Sequence, residues 1–440
     1  MGERAGDLPP TPRERPQDEA LVLYPAMDST EPAEWPGARW IGTIDLRALA
    51  GHTHLRLQNS EGYRRAWLLV REDGSLRGFV DVDAVDGVVD RRTLEISAAS
   101  LPAALPQSVM RDTPWITVVV CTRDRSDQLR GSLAAILRLD YPGFDVLVVD
   151  NAARTSETRD MVHQEFQDSR VTLVSEPVPG LAQARNTGLS HARGDIVAFT
   201  DDDVIVDRDW LREIAAAFQR VPAAACVTGL VPAGEMRSPV QRYFDDRVSW
   251  SKSLVPRVYS LAEPPENLPR FPFCVGEYGT GANFALDRRA ALALGGFDTA
   301  LGVGTRTGGG EDIDMFTRVV LSGRSLVMQP SAIVWHRHRG DIDELRLQAR
   351  SYGTGLGAWL TKILLNPRTA WMALARSPYA VRHFVSNARR KPGRVPEGQA
   401  PVSADWDRQL AKVLRLELIS VARGPFNYLL QRSMGKSVGT

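Results

Sequence analysis

Two groups of carboxylates mark where this 440-residue chain could do chemistry. The first is Asp201-Asp202-Asp203, which closes the apolar run IVAFT. Adjacent carboxylates repel one another unless something positive sits among them, and oxygen ligands of this kind suit Mg2+ or Mn2+, hard cations that also bind diphosphate oxygens. A solvated acidic turn capping the next helix is the alternative. The second is Gly308-Gly309-Gly310-Glu311-Asp312, where glycines permit close backbone approach and the acids open a helix continuing IDMFTRVVLSG. Acids favour the first helical turn for electrostatic reasons alone; a base that accepts a hydroxyl proton is the other reading.

The elements around these groups must bring them together. After Pro114 the chain alternates ITVVVCT, SDQLRGSLAAILRL, DVLVVD, a polar helix over about 156–166, VTLVSE, a helix over 182–192, DIVAFTD and a helix over about 209–219. Such alternation implies a parallel sheet with helices on its faces. Ligands of open α/β sheets bind at the carboxyl ends of the strands, so Thr122, Asp150 and Asp201 to Asp203 should share one crevice. Arg185 and Asn186 sit in a small-residue helix beside it, which suits phosphate or base recognition.

Four regions follow. Residues 1–34 are rich in Pro, Glu, Asp and Arg and read as a disordered leader. Residues 35–113 hold alternating runs around an Asp73-Gly74 turn, a hairpin signal within a small β-rich accessory domain. Residues 114–340 carry the carboxylates, and 341–440 are mainly helical, with a linker over 389–401. The net charge of +1 gives no sign of bulk nucleic-acid binding, but the region after Asp341 is basic and could face an acidic partner or a membrane surface. No segment has the roughly eighteen uninterrupted apolar residues of a membrane span, and the start lacks a signal-peptide core, so a cytoplasmic location, with peripheral contact at the inner face of the membrane, is expected. Cys121, Cys226 and Cys274 show no metal-site spacing.

The strings VVVCTRDR, VVDNAARTSET, GLAQARNTGLSHARGDIVAFTDDD, GTGANFALDRRAALALGGFD, GGGEDIDMFTRVVLSG and VWHRH follow one another in an order that resembles the family 2 glycosyltransferases. The resemblance covers 115–339 and implies a nucleotide-diphospho-sugar transferase (GT-A) fold, an α/β class with a Rossmann-like mixed sheet, and an inverting, non-processive transfer from a nucleotide-sugar donor to a hydroxyl acceptor. It implies that Thr122, Asp124 and Asp150 hold the base and ribose, with Arg185 near the base or diphosphate. Asp203 becomes the direct metal ligand, Asp201 a contact to ribose or metal-bound water, and Asp202 their neighbour in the donor-binding group. His336 matches a histidine that in some relatives is a further metal ligand. Asp312, paired with Glu311, becomes the base, and Asn283 in GTGAN a contact to the sugar. GGFD, ending at Asp298, is an ordinary glycine helix cap.

Two departures qualify the resemblance. Gln348-Ala349-Arg350-Ser351-Tyr352 stands where processive synthases carry Q-x-x-R-W, and CTRDR has Cys121 and Arg123 where many relatives have Pro and an aromatic residue. A sugar nucleotidyltransferase is the alternative enzyme, but CTRDRSDQ lacks the glycines of a triphosphate loop. A non-catalytic nucleotide- or carbohydrate-binding module would have no need of the intact acids.

Overall fold

In the computed structural model, which describes residues 20–29, 31–105, 110–248, 250–251, 253–389 and 404–437, two small sheets precede a large one. The N-terminal part comprises β1 (Leu21–Leu23), β2 (Trp40–Asp45), β3 (His54–Leu57), β4 (Arg65–Glu72), β5 (Ser75–Asp83), β6 (Val88–Asp90) and the helix α1 (Arg91–Ala99). They form three-stranded sheets in the orders β1-β3-β6 and β2-β4-β5. Asp73 and Gly74 both take positive φ, 55° and 77°, as the tight turn between β4 and β5 requires. β1 corrects the expected extent of the leader: Leu21 to Leu23 pair in parallel with Leu55 to Leu57, and Leu23 is buried. Three residues are too few to show a period, so the sequence could not announce that strand. Residues 1–19 lie outside the described residues.

Next come β7 (Ile116–Thr122), α2 (Ser126–Leu137), β8 (Phe144–Asn151), α3 (Glu157–Glu165), β9 (Val171–Glu176), α4 (Leu181–His191), β10 (Ile196–Thr200), β11 (Val204–Val206), α5 (Trp210–Arg220) and β12 (Ala224–Leu230). Then follow α6 (Pro239–Arg247), β13 (Arg257–Tyr259), β14 (Asn283–Asp287), α7 (Arg288–Ala293), α8 (Glu311–Leu321) and β15 (Ser325–His336). The sheet runs β11-β15-β12-β14-β10-β7-β8-β9, with β13 also on β15. It is parallel from β9 to β10, as the alternation implies, but β14 lies antiparallel to both β10 and β12, which makes the sheet mixed.

Both faces of this sheet are covered, which explains its nearly continuous apolar strands. Along β7, Val118 and Val120 pack with Leu129, Leu133 and Trp210 on one face, while Val119 packs with Phe199, Phe284 and Phe316 on the other. That is the period of two of a strand. Each fully buried side chain of this size contributes about 1.5–3 kcal/mol. Ile41, Leu69 and Leu76 of the N-terminal part join the second cluster, so the accessory domain is docked through apolar surface. An Arg71–Asp207 ion pair at 2.8 Å and a hydrogen bond from Arg39 N to Met236 O at 2.9 Å fix the seam.

The chain ends in α9 (Ile342–Leu365), α10 (Pro367–Arg389) and α11 (Ala404–Ser437). α9 and α11 cross where Gly357 meets Gly424, and a Cβ on Gly424 would fall 2.4 Å from the Gly357 carbonyl carbon. Most of the expected linker, residues 390–401, lies outside the described residues. No helix among the described residues is long and apolar enough to cross a membrane.

Candidate functional site

Strand register assembles the first carboxylate group. β7 pairs Val120 with Thr200 and Thr122 with Asp150, which brings Thr122, Asp150 and the residues after Thr200 to one edge of the sheet. β11 pairs Val204 with His336, which lays His336 beside Asp203 from the far end of the domain. Asp201, Asp203 and His336 each offer a ligand atom, all within 4.8 Å of one another. Two carboxylates and an imidazole are a donor set that fits Mn2+ or Mg2+. His336 Nε2 lies 3.4 Å from Asp203 Oδ1. Burial works against the imidazolium, but Asp203 outweighs it and holds the His336 pKa above its ordinary value. Asp203 is the converse case: burial raises its carboxyl, and His336 and Arg125 overcome that and hold it well below the usual range. Asp201, 34% exposed, is pushed up by burial against the pull of Arg185.

Asp202 occupies a different position. It is buried, its Oδ2 accepts from Thr122 Oγ1 at 2.7 Å, and its Oδ1 accepts from Arg125 Nη1 at 2.6 Å. Arg125 Nη2 donates to Asp203 Oδ2 at 2.8 Å. Burial pushes the Asp202 carboxyl up to about 6 against Arg125. One lone pair of each Asp202 oxygen and the Thr122 hydroxyl proton thus serve the turn itself, a structural role that the sequence did not announce. Ser132 of α2 pins the same turn by accepting from Val204 N at 3.1 Å. Sequence reasoning passed over Arg125 and Ser132; the available signal was an arginine in the turn after the first strand, facing three acids.

The second group forms where α8 begins. Gly310 takes φ +97°, and a Cβ there would meet Gly355 O of α9 at 2.9 Å, so the turn needs glycine both for its conformation and for the approach of α9. Successive helical residues diverge by about 100°. Glu311 points inward, nearly fully buried, and its Oε1 accepts from Arg185 Nη1 at 2.8 Å. Burial, then the charge of Asp312, push the Glu311 carboxyl up against the pull of Arg185. Asp312 stays half-buried; its Oδ2 accepts from Gly281 N and its Oδ1 from Ile313 N, each at 2.8 Å. The expected catalytic pair thus divides, Glu311 holding Arg185 and Asp312 facing the crevice.

Arg185 joins the two groups. It is buried, donates from Nη2 to Gly281 O at 3.0 Å, and lies 3.7 Å from Asp201 Oδ1. The Phe284 ring sits 5.3 Å beneath its guanidinium. Arg185 is thus a buried bridge between the two groups. Gly281 serves both ends, and a Cβ there would come within 2.8 Å of Arg185 Nη2 and 3.0 Å of Asp312 Oδ2. The expectation for Asn283 is also corrected. It is fully buried, accepts from Trp210 Nε1 at 2.8 Å, and donates its two amide protons to Leu230 O and Ala332 O, so its amide ties strands together and is closed off from a sugar by burial. What GTGAN brings to the crevice is the backbone of Gly281.

At the donor end, Asp124 takes φ +50° and accepts from Arg154 N at 2.8 Å and Arg154 Nε at 3.1 Å, the first of which chiefly lowers its pKa. Asp150 is buried with its Oδ1 lacking a hydrogen-bond partner among the described residues, and burial, then Asp124, raise its carboxyl. A buried acceptor without a donor is costly, and it sits at a strand end where a ligand can supply one. Asp314 and Asp298 are structural, both gripped by Lys362 Nζ of α9 at 2.8 Å.

The model of the family described as "Glycosyl transferase family 2" matches residues 117–287. The succinoglycan biosynthesis protein ExoM of Rhizobium meliloti is 31% identical over 297 residues, 63% of this chain and 88% of that protein. The pre-mycofactocin glycosyltransferase of Mycobacterium tuberculosis is 30% identical over 270 residues, 61% of this chain, which spans about half the length of that relative (48%). Among solved structures, a mannosyltransferase from Pyrobaculum calidifontis in complex with GDP-Man and Mn2+ is 22% identical with a TM-score of 0.44, over 74% of this chain and 87% of that one. The chain belongs to glycosyl transferase family 2.

Proposed function

We propose that this chain is an inverting glycosyltransferase that moves a sugar from a nucleoside-diphosphate donor to a hydroxyl acceptor, with Asp312 as base. The observation that carries the reading is the pairing of two carboxylate centres across one crevice, Asp201, Asp203 and His336 on one side and Asp312 on the other, with Arg185 and Gly281 spanning the gap. Asp201, Asp203 and His336 would hold Mg2+ or Mn2+, which when bound supplies positive charge to offset the diphosphate. Asp150, with its unpartnered oxygen, is suited to accept from the ribose or base of the donor.

The reaction is a single displacement. The acceptor oxygen forms a bond to the anomeric carbon as its proton passes to Asp312, and the bond from that carbon to the diphosphate oxygen breaks, leaving the electron pair on the diphosphate. Attack from the face opposite the leaving group inverts the anomeric centre. Asp312 is held for this by the Gly281 and Ile313 amides, which fix its orientation while leaving a lone pair on each oxygen.

Replacement of Asp312 with Asn removes the proton acceptor with little change of shape. Transfer should fall on the order of a thousandfold, while calorimetry with UDP and GDP in the presence of Mn2+ should give unchanged binding. Near-normal turnover of a nucleotide-sugar panel by the variant would remove Asp312 from the role of base.

A further inference from the structure

The C-terminal helices carry a surface that the transfer reaction does not use. α10 is turned apolar side out: Trp371 is 75% exposed, Leu374 and Tyr379 are at least half exposed, and Leu364, at the end of α9, is exposed beside them in the chain. At about 100° per residue, Arg368, Trp371, Leu374, Tyr379 and Arg382 fall within one stripe of α10. Thr369 and Arg376 lie more than about 120° from the middle of that stripe and are less exposed, and Arg376 Nε donates to Phe271 O. The helix is thus fastened to the protein on the side away from the stripe.

The charge pattern says what this stripe fits. From Leu345 to Arg389 the sequence contains no Asp or Glu, while Arg368 and Arg382 are exposed within the stripe. Two such faces from copies of the chain would oppose their arginines, which disfavours self-association. A helix that shows Trp and Leu flanked by arginines, and that is too polar to span a bilayer, has the character of one that lies in an anionic lipid interface. We propose that α10, with the adjoining end of α9, docks the protein on anionic phospholipid surfaces. The inference stands on this surface and not on the assignment of the reaction. Its geometric consequence concerns the crevice, because α9 touches the Gly308–Gly310 turn at Gly355 and reaches Leu364 nine residues later. At 1.5 Å per residue the lipid surface would stand roughly 14 Å along α9 from the turn that carries Asp312.

Sedimentation of the full chain with vesicles of phosphatidylcholine alone, and of phosphatidylcholine mixed with phosphatidylglycerol, tests this. The chain should pellet with the mixed vesicles, progressively less as salt rises, and remain in solution with the neutral ones. Trp371→Ser combined with Leu374→Ser should lower partitioning by more than about tenfold, and Arg368→Gln with Arg382→Gln should remove the preference for anionic lipid. Donor hydrolysis in vesicle-free solution should be unchanged in both variants, which shows that they fold and separates this outcome from that of the reaction assignment. No pelleting with mixed vesicles, equal pelleting with both kinds, or binding indifferent to Trp371 and Leu374 would each overturn the proposal. So would a self-associating parent chain whose Trp371→Ser variant is monomeric by analytical ultracentrifugation.

Discussion

At the first carboxylate centre, Asp202 and Asp203 are met by side-chain nitrogens, those of Arg125 at 2.6 and 2.8 Å and of His336 at 3.4 Å. At the second, Asp312 is held by backbone amides, those of Gly281 and Ile313. Side-chain counter-ions turn on several rotatable bonds, whereas a backbone donor at a helix start is fixed by the fold. The first centre is therefore adjustable and the second rigid, a division that suits one centre to receiving a charged ligand and the other to orienting a base. Arg185 is what keeps two such different centres in register.

Breaking that bridge should have the largest effect on the comparison. Arg185→Met leaves Glu311 buried with no cation, and removing one partner of a buried pair costs about 3–5 kcal/mol. Adding Glu311→Gln to it should recover most of the loss, since the stranded charge is gone while the volume is kept. Urea unfolding of the single and double variants measures both. A loss below about 1 kcal/mol in Arg185→Met, in the range of an exposed pair, would mean that the two centres are held together by something else.

A smaller, local change sharpens the same contrast. Gly281→Ala places a methyl group 2.8 Å from Arg185 Nη2 and 3.0 Å from Asp312 Oδ2, distances that require one of them to move. Overpacking of this kind costs about 1–3 kcal/mol. Because the displaced group includes the proposed base, kcat should fall by about a hundredfold with KM for the donor little altered. If the donor KM rose instead with kcat preserved, Gly281 would belong to the sugar pocket and not to the support of Asp312.

The features that could be read from the sequence were local ones. The strands from ITVVVCT to DIVAFTD show their apolar runs, the DDD and GGGED groups show their charge, and Asp73-Gly74 shows its turn, because each signal lies within a few residues. What could not be read depends on pairing across long separations or on which way a side chain turns. The closeness of His336 to Asp203 could be inferred only from the family likeness, since it rests on β11 meeting β15. Asn283 looked like a polar residue at a sugar pocket, yet the pleat of β14 turns it toward Trp210. Glu311 and Asp312 differ in role because of one step around a helix. Lys362 looked like an ordinary residue of a helical tail, and only packing reveals that it grips Asp298 and Asp314.

That grip gives the mildest test, one of pH. Asp298 Oδ2 is 2.8 Å from Lys362 Nζ and accepts from Tyr428 OH at 3.0 Å, which ties α9 and α11 to the segment leading into the GGGED turn. Burial raises the Asp298 carboxyl, but Lys362 outweighs it, and the net pKa lies below the ordinary 3.8. A carboxyl depressed on folding binds its proton more readily when unfolded, so its stabilisation is complete above 3.8 and is lost as pH falls through the lower folded value. Acid should therefore loosen α11 over the second centre. In Lys362→Met the main cause of the depression is gone, leaving the bonds from Ala300 N and Tyr428 OH, and the fall of Tm with acid should be shallower than in the parent; hydrogen exchange should show α11 losing protection already at neutral pH. A parent and a variant with the same acid slope would mean that α11 is held without help from Lys362, by the Gly357–Gly424 crossing and its other ties, among them the Arg247–Glu417 ion pair.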